Sequence, residues 1–137
     1  MKIILLIMLG LNLLQADFTR IGNIVKDSVS KLEFQDDAIG SAMIWEEAIN
    51  HCETLTLGGH SDWRLPNINE LKSIVDRTRY NPAIKDAFVH TASFYFSSTS
   101  SEAYNYSVWT VHFEEGSVAH GSGKKTNTYV RCVRDGQ

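Results

Sequence analysis

The chain has 137 residues, 43% of them hydrophobic and 21% charged, which suits one domain built on one core. Its 13 basic and 16 acidic residues leave a formal charge of −3. That balance lacks the basic footprint that nucleic-acid binding needs, so nucleic acid is excluded as the main partner.

Met1-Lys2 precedes an apolar run from Ile3 to Leu14, and Gln15-Ala16-Asp17 follows. A basic start, an apolar stretch and a small residue before a polar one read as a signal peptide over residues 1–16. The run is shorter than the ~20 residues of a membrane-spanning helix. The mature chain, 17–137, would carry 12 basic and 16 acidic residues, a charge of −4, and no membrane span. Its destination is periplasmic, cell-surface or secreted. An exported chain with two cysteines, Cys52 and Cys132, implies one disulfide with a single intramolecular connectivity.

Residues 18–35 read as extended. A Gly22-Asn23 turn signal splits them, and Val29 to Phe34 alternates apolar with polar. Residues 41–55 predict a helix with Ser41 as N-cap and a stop at Gly58-Gly59. Ala42, Trp45, Ala48, Ile49, Cys52 and Leu55 recur at helical spacing on its inner face. A second helix starts at Asn67, with Glu70 three residues on as in a capping box and Ile68, Leu71, Ile74 and Val75 inward. After Asn81-Pro82 a short helical element is expected, with Ile84, Ala87 and Phe88 inward.

From Ser93 the pattern turns to strands. Phe94 to Phe96 leads into a polar loop, Ser97 to Ser101. Val108 to Phe113 alternates, which predicts Trp109, Val111 and Phe113 on one face. Glu114-Glu115-Gly116 is a turn, Ser117 to Ala119 a weak return strand and Gly121 to Lys125 a mobile loop. Tyr129 to Arg134 is the last strand, with Val130 and Cys132 inward. Strands, two helices and strands again make an α+β domain, with two main helices packed on short antiparallel sheets.

Little in the chain points to chemistry. Asp62-Trp63-Arg64-Leu65-Pro66 is read as a loop pinned to the core, with Arg64 satisfying carbonyls or a carboxylate. Asn67 and Glu70 cap a helix. No histidine pair has zinc spacing; only His112 and His120 are placed to meet, across the Glu115-Gly116 hairpin. Asp36-Asp37 and Glu114-Glu115 are read as solvated turn charges, not as a Ca²⁺ loop. Lys124, Lys125, Arg131 and Arg134 are read as solvated strand ends. No metal site, cofactor motif or nucleophile elbow stands out. Tyr95, Tyr104, Tyr106 and Trp109, among Ser and Asn neighbours, suit recognition of a glycan or protein. The expected ligand-facing residues are Tyr104, Asn105, Tyr106, Lys124, Lys125 and Asn127.

Several segments together resemble one bacterial family. They are Val25 and Asp27, then Trp45, Ala48 and Cys52, then Gly58-Gly59 with Trp63-Arg64-Leu65-Pro66-Asn67 and Glu70-Leu71. Ser97-Ser98-Thr99, Phe113 with Gly116, and Val130-Arg131-Cys132-Val133-Arg134 complete the set. In this order they resemble the Lcl C-terminal (DUF1566) family, over about residues 20–134. Phe34 and Phe96 stand where that family usually has Trp. The resemblance implies a C-type-lectin-like fold, shared with formylglycine-generating enzymes and retroelement-diversified proteins, and ligands held on the long loops before the last strands. It implies an exported, non-enzymatic binding module for glycans or a surface protein, using loops 97–127. The Glu-Pro-Asn and Gln-Pro-Asp sugar motifs of Ca²⁺-dependent lectins are absent. Two alternatives stay open. One is an envelope carbohydrate-active enzyme using Asp62, Glu114, His112 and His120. The other is a structural subunit of a surface assembly, and oligomers are compatible with either.

Overall fold

The structure is a computed structural model that describes residues 15–136, apart from the side chains at 121 and 122. The apolar run read as the core of a signal peptide lies outside the described residues. No helix among the described residues is long and apolar enough to cross a membrane.

The architecture is α+β, with two small antiparallel sheets, two short helices and one disulfide. Strands β1 (Phe18–Ile21), β2 (Ile24–Asp27) and β3 (Leu32–Gln35) form a meander. The final strand, β7 (Val133–Asp135), pairs with β3, so the first sheet runs β1-β2-β3-β7. Both ends of the domain therefore meet in one sheet. The second sheet runs β4-β5-β6, from β4 (Phe94–Ser100), β5 (Ser107–His112) and β6 (Ser117–Gly123).

The second sheet is buried on both faces, because successive side chains of a strand point opposite ways. Tyr95 and Val111 join a core with Val25, Phe34, Leu71, Ile74 and Phe113. Phe96 and Val108 join a second core with Ala48, Cys52, Trp63, Leu65 and Cys132. Phe34 and Phe96 are both fully buried.

Helix α1 (Trp45–Glu53) buries Ala48 and Cys52, four residues apart on one face. It starts later than expected, with Ile44 and not Ser41 at the N-cap. Tertiary pairing takes the preceding residues: Met43 bridges Thr128, and Trp45 N–H donates to the Lys124 carbonyl at 2.9 Å. The helix also ends earlier, at Thr54. Gly58 and Gly59 instead form a tight turn that closes Leu57 onto His60. Cys52 bonds to Cys132, one residue before β7, across a sequence separation of 80.

Helix α2 (Ile68–Lys72) has the expected capping box. Glu70 N–H donates to Asn67 Oδ1 at 2.8 Å, and Asn67 N–H donates to Glu70 Oε1 at 2.9 Å. Ile74 and Val75 lie beyond its end. The segment after Pro82 is not helical. It is irregular, with Ile84 bridging Val75 and a single turn closed by Phe88 N–H on the Lys85 carbonyl, although Ile84 and Phe88 are buried as expected. Residues 97–100 continue β4, and 121–123 continue β6, where loops were expected. Tyr129 to Cys132 does not pair as a regular strand beyond one bridge, Tyr129 to Tyr95.

Candidate ligand-binding loops and cleft

Local sequence sets the scaffold around Trp63. Its indole N–H donates to the carbonyls of Leu57 and His60, 3.2 and 3.1 Å away, and its ring is 2% exposed. Arg64 pairs its backbone with Val133 and its guanidinium with Glu70, through two bonds of 2.6 and 2.7 Å, and with Asp135 at 2.8 Å. The Glu70 contacts hold Arg64 firmly protonated. Leu65 and Pro66 are buried. Trp63, Arg64, Asn67 and Glu70 thus spend polar side-chain groups on the protein itself.

Three acidic and basic groups read as solvated are buried. Asp36 is 1% exposed and Arg131 3% exposed. Asp36 pairs with both Arg20 and Arg131 and accepts from the amides of Val89 and His90 at 2.8 and 3.1 Å. Arg134 is 7% exposed and pairs with Glu33 and with Asp62, the latter at 2.7 Å. Buried charges persist where they are paired and hydrogen-bonded, and every one of these is. Of the four basic residues near the C-terminus, Lys124 is half-buried and Lys125 exposed. A hollow of about 20 Å³ beside Asp36 and Arg131 has room for a water molecule and little more.

The residues expected to face a ligand lie on two neighbouring loops at one end of the second sheet. Tyr104 and Tyr106 are 48% and 64% exposed, with ring centroids 5.5 Å apart. Their loop, 101–106, joins β4 to β5 and includes the exposed Asn105. Lys124 N–H donates to the Tyr106 carbonyl at 2.8 Å, which ties the loop after β6 to it. The Lys124 ammonium sits over the Trp45 ring, 4.7 Å from its centroid. Trp45, Ile49, Lys124 and Lys125 line a shallow cleft there of about 240 Å³. Asn127 is exposed one residue before Thr128, which bridges Met43. Tyr95, by contrast, is core, 3% exposed, with its hydroxyl accepting from Ala92 N–H.

Trp109 departs from the alternation expected of it. It is half-buried and packs edge-on against His120, centroids 4.8 Å apart, away from the core that holds Val111 and Phe113. The ladder explains this. Opposite Val108 to Thr110, β4 runs from Ser100 to Phe96 and β6 from Ser122 to Ala119, so both neighbours carry extra residues at Trp109. Paired bulges break the period and re-aim the side chain. A cleft of about 350 Å³ opens there, lined by Thr99, Ser100, Ser101, Glu102, Ala103, Trp109 and His120. Sequence reading names Trp109 within the 97–127 stretch and does not single out Ser101, Glu102 and His120 as its neighbours. A bulge leaves no local composition signal.

His112 and His120 do not meet. His112 lies opposite Ser117, stacks on Phe94 at 4.0 Å and contacts Glu114 and Glu115, while His120 contacts Trp109. Asp62 engages Arg134, and Glu114 accepts from the Tyr80 hydroxyl at 2.6 Å. Of the four groups named for an enzyme, His112 and Glu114 meet at 3.5 Å, while Asp62 and His120 are held by other neighbours. No cluster of three metal-ligating side chains is found among the described residues.

The profile of one family, the Lcl C-terminal domain, matches residues 23–134. No curated protein matches the chain.

Proposed function

The chain belongs to the Lcl C-terminal domain family, and from that premise we propose an exported, non-enzymatic binding module that recognises glycans through its C-terminal loops. The observation that carries this reading is the Tyr104–Tyr106 pair, two exposed rings 5.5 Å apart on a loop anchored to Lys124. Exposed tyrosines offer flat apolar faces and hydroxyls without large ordering cost, as recognition surfaces do. Asn105, Lys124, Lys125 and Asn127 supply polar groups around them.

The C-type-lectin-like reading of the fold belongs to the same proposal. It is supported by the pairing of the final strand with the N-terminal sheet, which leaves the loops of the second sheet exposed as a group. Of the four groups the enzyme reading names, only His112 and Glu114 contact each other. Net negative charge disfavours sulfated glycans in general, because like charges repel.

The test is binding of residues 17–137 to a broad glycan array, with and without Ca²⁺, at two salt concentrations. Hits that vanish when Tyr104 and Tyr106 both become Ala are expected. A blank array in every condition overturns the glycan reading and transfers the site to a surface-protein partner.

A further inference from the structure

The cleft around Trp109 is separate from the tyrosine pair and is furnished differently. Its floor is the half-buried Trp109 ring with His120 packed against its edge. Its walls carry hydrogen-bonding groups that the fold does not use. Ser101 is only 6% exposed, yet its hydroxyl has no partner among the described residues. The Ser100 hydroxyl and the Glu102 carboxylate have none either. Thr99 differs: its hydroxyl accepts from Ile68 N–H at 3.0 Å. Among the described residues the one side-chain polar atom sealed from solvent without a partner is Arg131 Nε, so these cleft hydroxyls and the carboxylate are open to solvent and can exchange water for the groups of a ligand.

From this geometry we infer that the cleft is a subsite for one pyranose ring that carries no anionic group. The inference rests on the glycan reading above and narrows it to a ligand class and a place. A pyranose has an apolar face of C–H groups and a rim of hydroxyls. Trp109 meets the first need, while Ser100, Ser101 and Glu102 meet the second, with acceptors and donors at the edge of an apolar floor. The volume, about 350 Å³, falls at the lower end of small-ligand clefts, roughly 300–1,000 Å³. Charge decides between sugars. Glu102 is the cleft's one carboxylate, and neither Lys nor Arg lines it. A uronate or sulfate placed there meets a like charge with no Lys or Arg to offset it. The lysines of this end of the domain instead line the separate cleft at Trp45.

The experiment uses the chain from residue 17 to 137 and an array printed with neutral, N-acetylated, uronate-bearing and O-sulfated oligosaccharides of matched linkage. Neutral or N-acetylated forms are expected to bind, with their anionic counterparts weaker by about tenfold or more. Trp109→Ala is expected to weaken neutral binding by about tenfold or more, the usual loss on truncating a central aromatic anchor. Glu102→Gln, on an exposed residue that no fold contact needs, is expected to narrow the gap between neutral and anionic forms. Ser101→Ala gives a further variant should Trp109→Ala fail to fold. Binding that prefers sulfated forms, or that survives Trp109→Ala in a folded protein, overturns the subsite. Loss confined to the Tyr104/Tyr106 variant would do so while sparing the wider glycan reading. A blank array overturns both.

Discussion

Arg131 donates to Asp36 at 2.8 Å across 95 residues of sequence, and both side chains are buried. The same guanidinium lies over the rings of Phe88 and Tyr95, 4.8 and 5.1 Å from its centre. Asp36 also collects the amides of Val89 and His90. One ion pair thus joins the end of the N-terminal meander, the irregular 81–92 segment and the stretch before the last strand.

Asp36 would keep Arg20 and two amides if Arg131 were removed, whereas Arg131 without Asp36 keeps only the carbonyls of Gln35 and His90. Asp36→Leu is therefore expected to destabilise the fold by about 3–5 kcal/mol, the usual cost of leaving one charge of a buried pair uncompensated. Urea unfolding followed by tryptophan fluorescence measures it. A loss under about 1 kcal/mol, the range of exposed pairs, contradicts the burial.

The Cys52–Cys132 bond closes a loop of 80 residues, for which chain entropy gives about 4–5 kcal/mol. The Cys52→Ser, Cys132→Ser double variant is expected to lose most of that in thermal or urea unfolding. Thiol titration of unreduced, unfolded protein is expected to find no reactive thiol. Two thiols per chain would mean that the bond does not form.

Gly58 and Gly59 both have positive φ, at 61° and 78°. A Cβ on Gly58 would run into the Ile24 side chain, whereas one on Gly59 meets open space. Gly59→Ala therefore carries backbone strain alone, about 1–2 kcal/mol. Gly58→Ala adds displacement of Ile24 and loosens the turn whose carbonyls hold the Trp63 indole. It is expected to be the more destabilising of the two, and equal losses would exclude the steric contribution.

Glu70 links α2 to Arg64. Burial alone would raise its pKa, but the hydrogen bonds from Arg64 and from the Asn67 amide outweigh burial and hold it below the usual carboxylate range. Asp62 is likewise held low by Arg134. A depressed native pKa favours the fold above the unfolded value, about 4.3 for Glu, and that contribution is lost as pH falls through the native value. Glu70→Gln is therefore expected to cost stability near neutrality and progressively less below about pH 4. A gap between wild type and variant that stays constant from neutral to acid pH would show that the charge has no part in it.

Much of the α+β organisation is legible in local pattern. Asn67 and Glu70 spell their capping box three residues apart, and Ala48 and Cys52 share a helical face because they are four apart. With two cysteines, the pairing follows once oxidation is granted. The misreadings all involve partners distant in sequence. Residues 41–44 were drawn out of the first helix by bridging to Thr128, and residues 97–100 became strand because β5 was there to pair with them.

What the sequence by itself determined is therefore the set of elements whose cause is local: helix faces, caps, glycine turns, the cysteine pair and the order of motifs that marks the family. Tertiary structure decided the fate of Asp36, Arg131 and Arg134, and the direction of Trp109. A charged residue beside a turn is read as solvated unless its counter-ion is known, and here the counter-ions lie up to 101 residues away. Trp109 faces its cleft because two neighbouring strands each carry extra residues opposite it, a matter of register between strands.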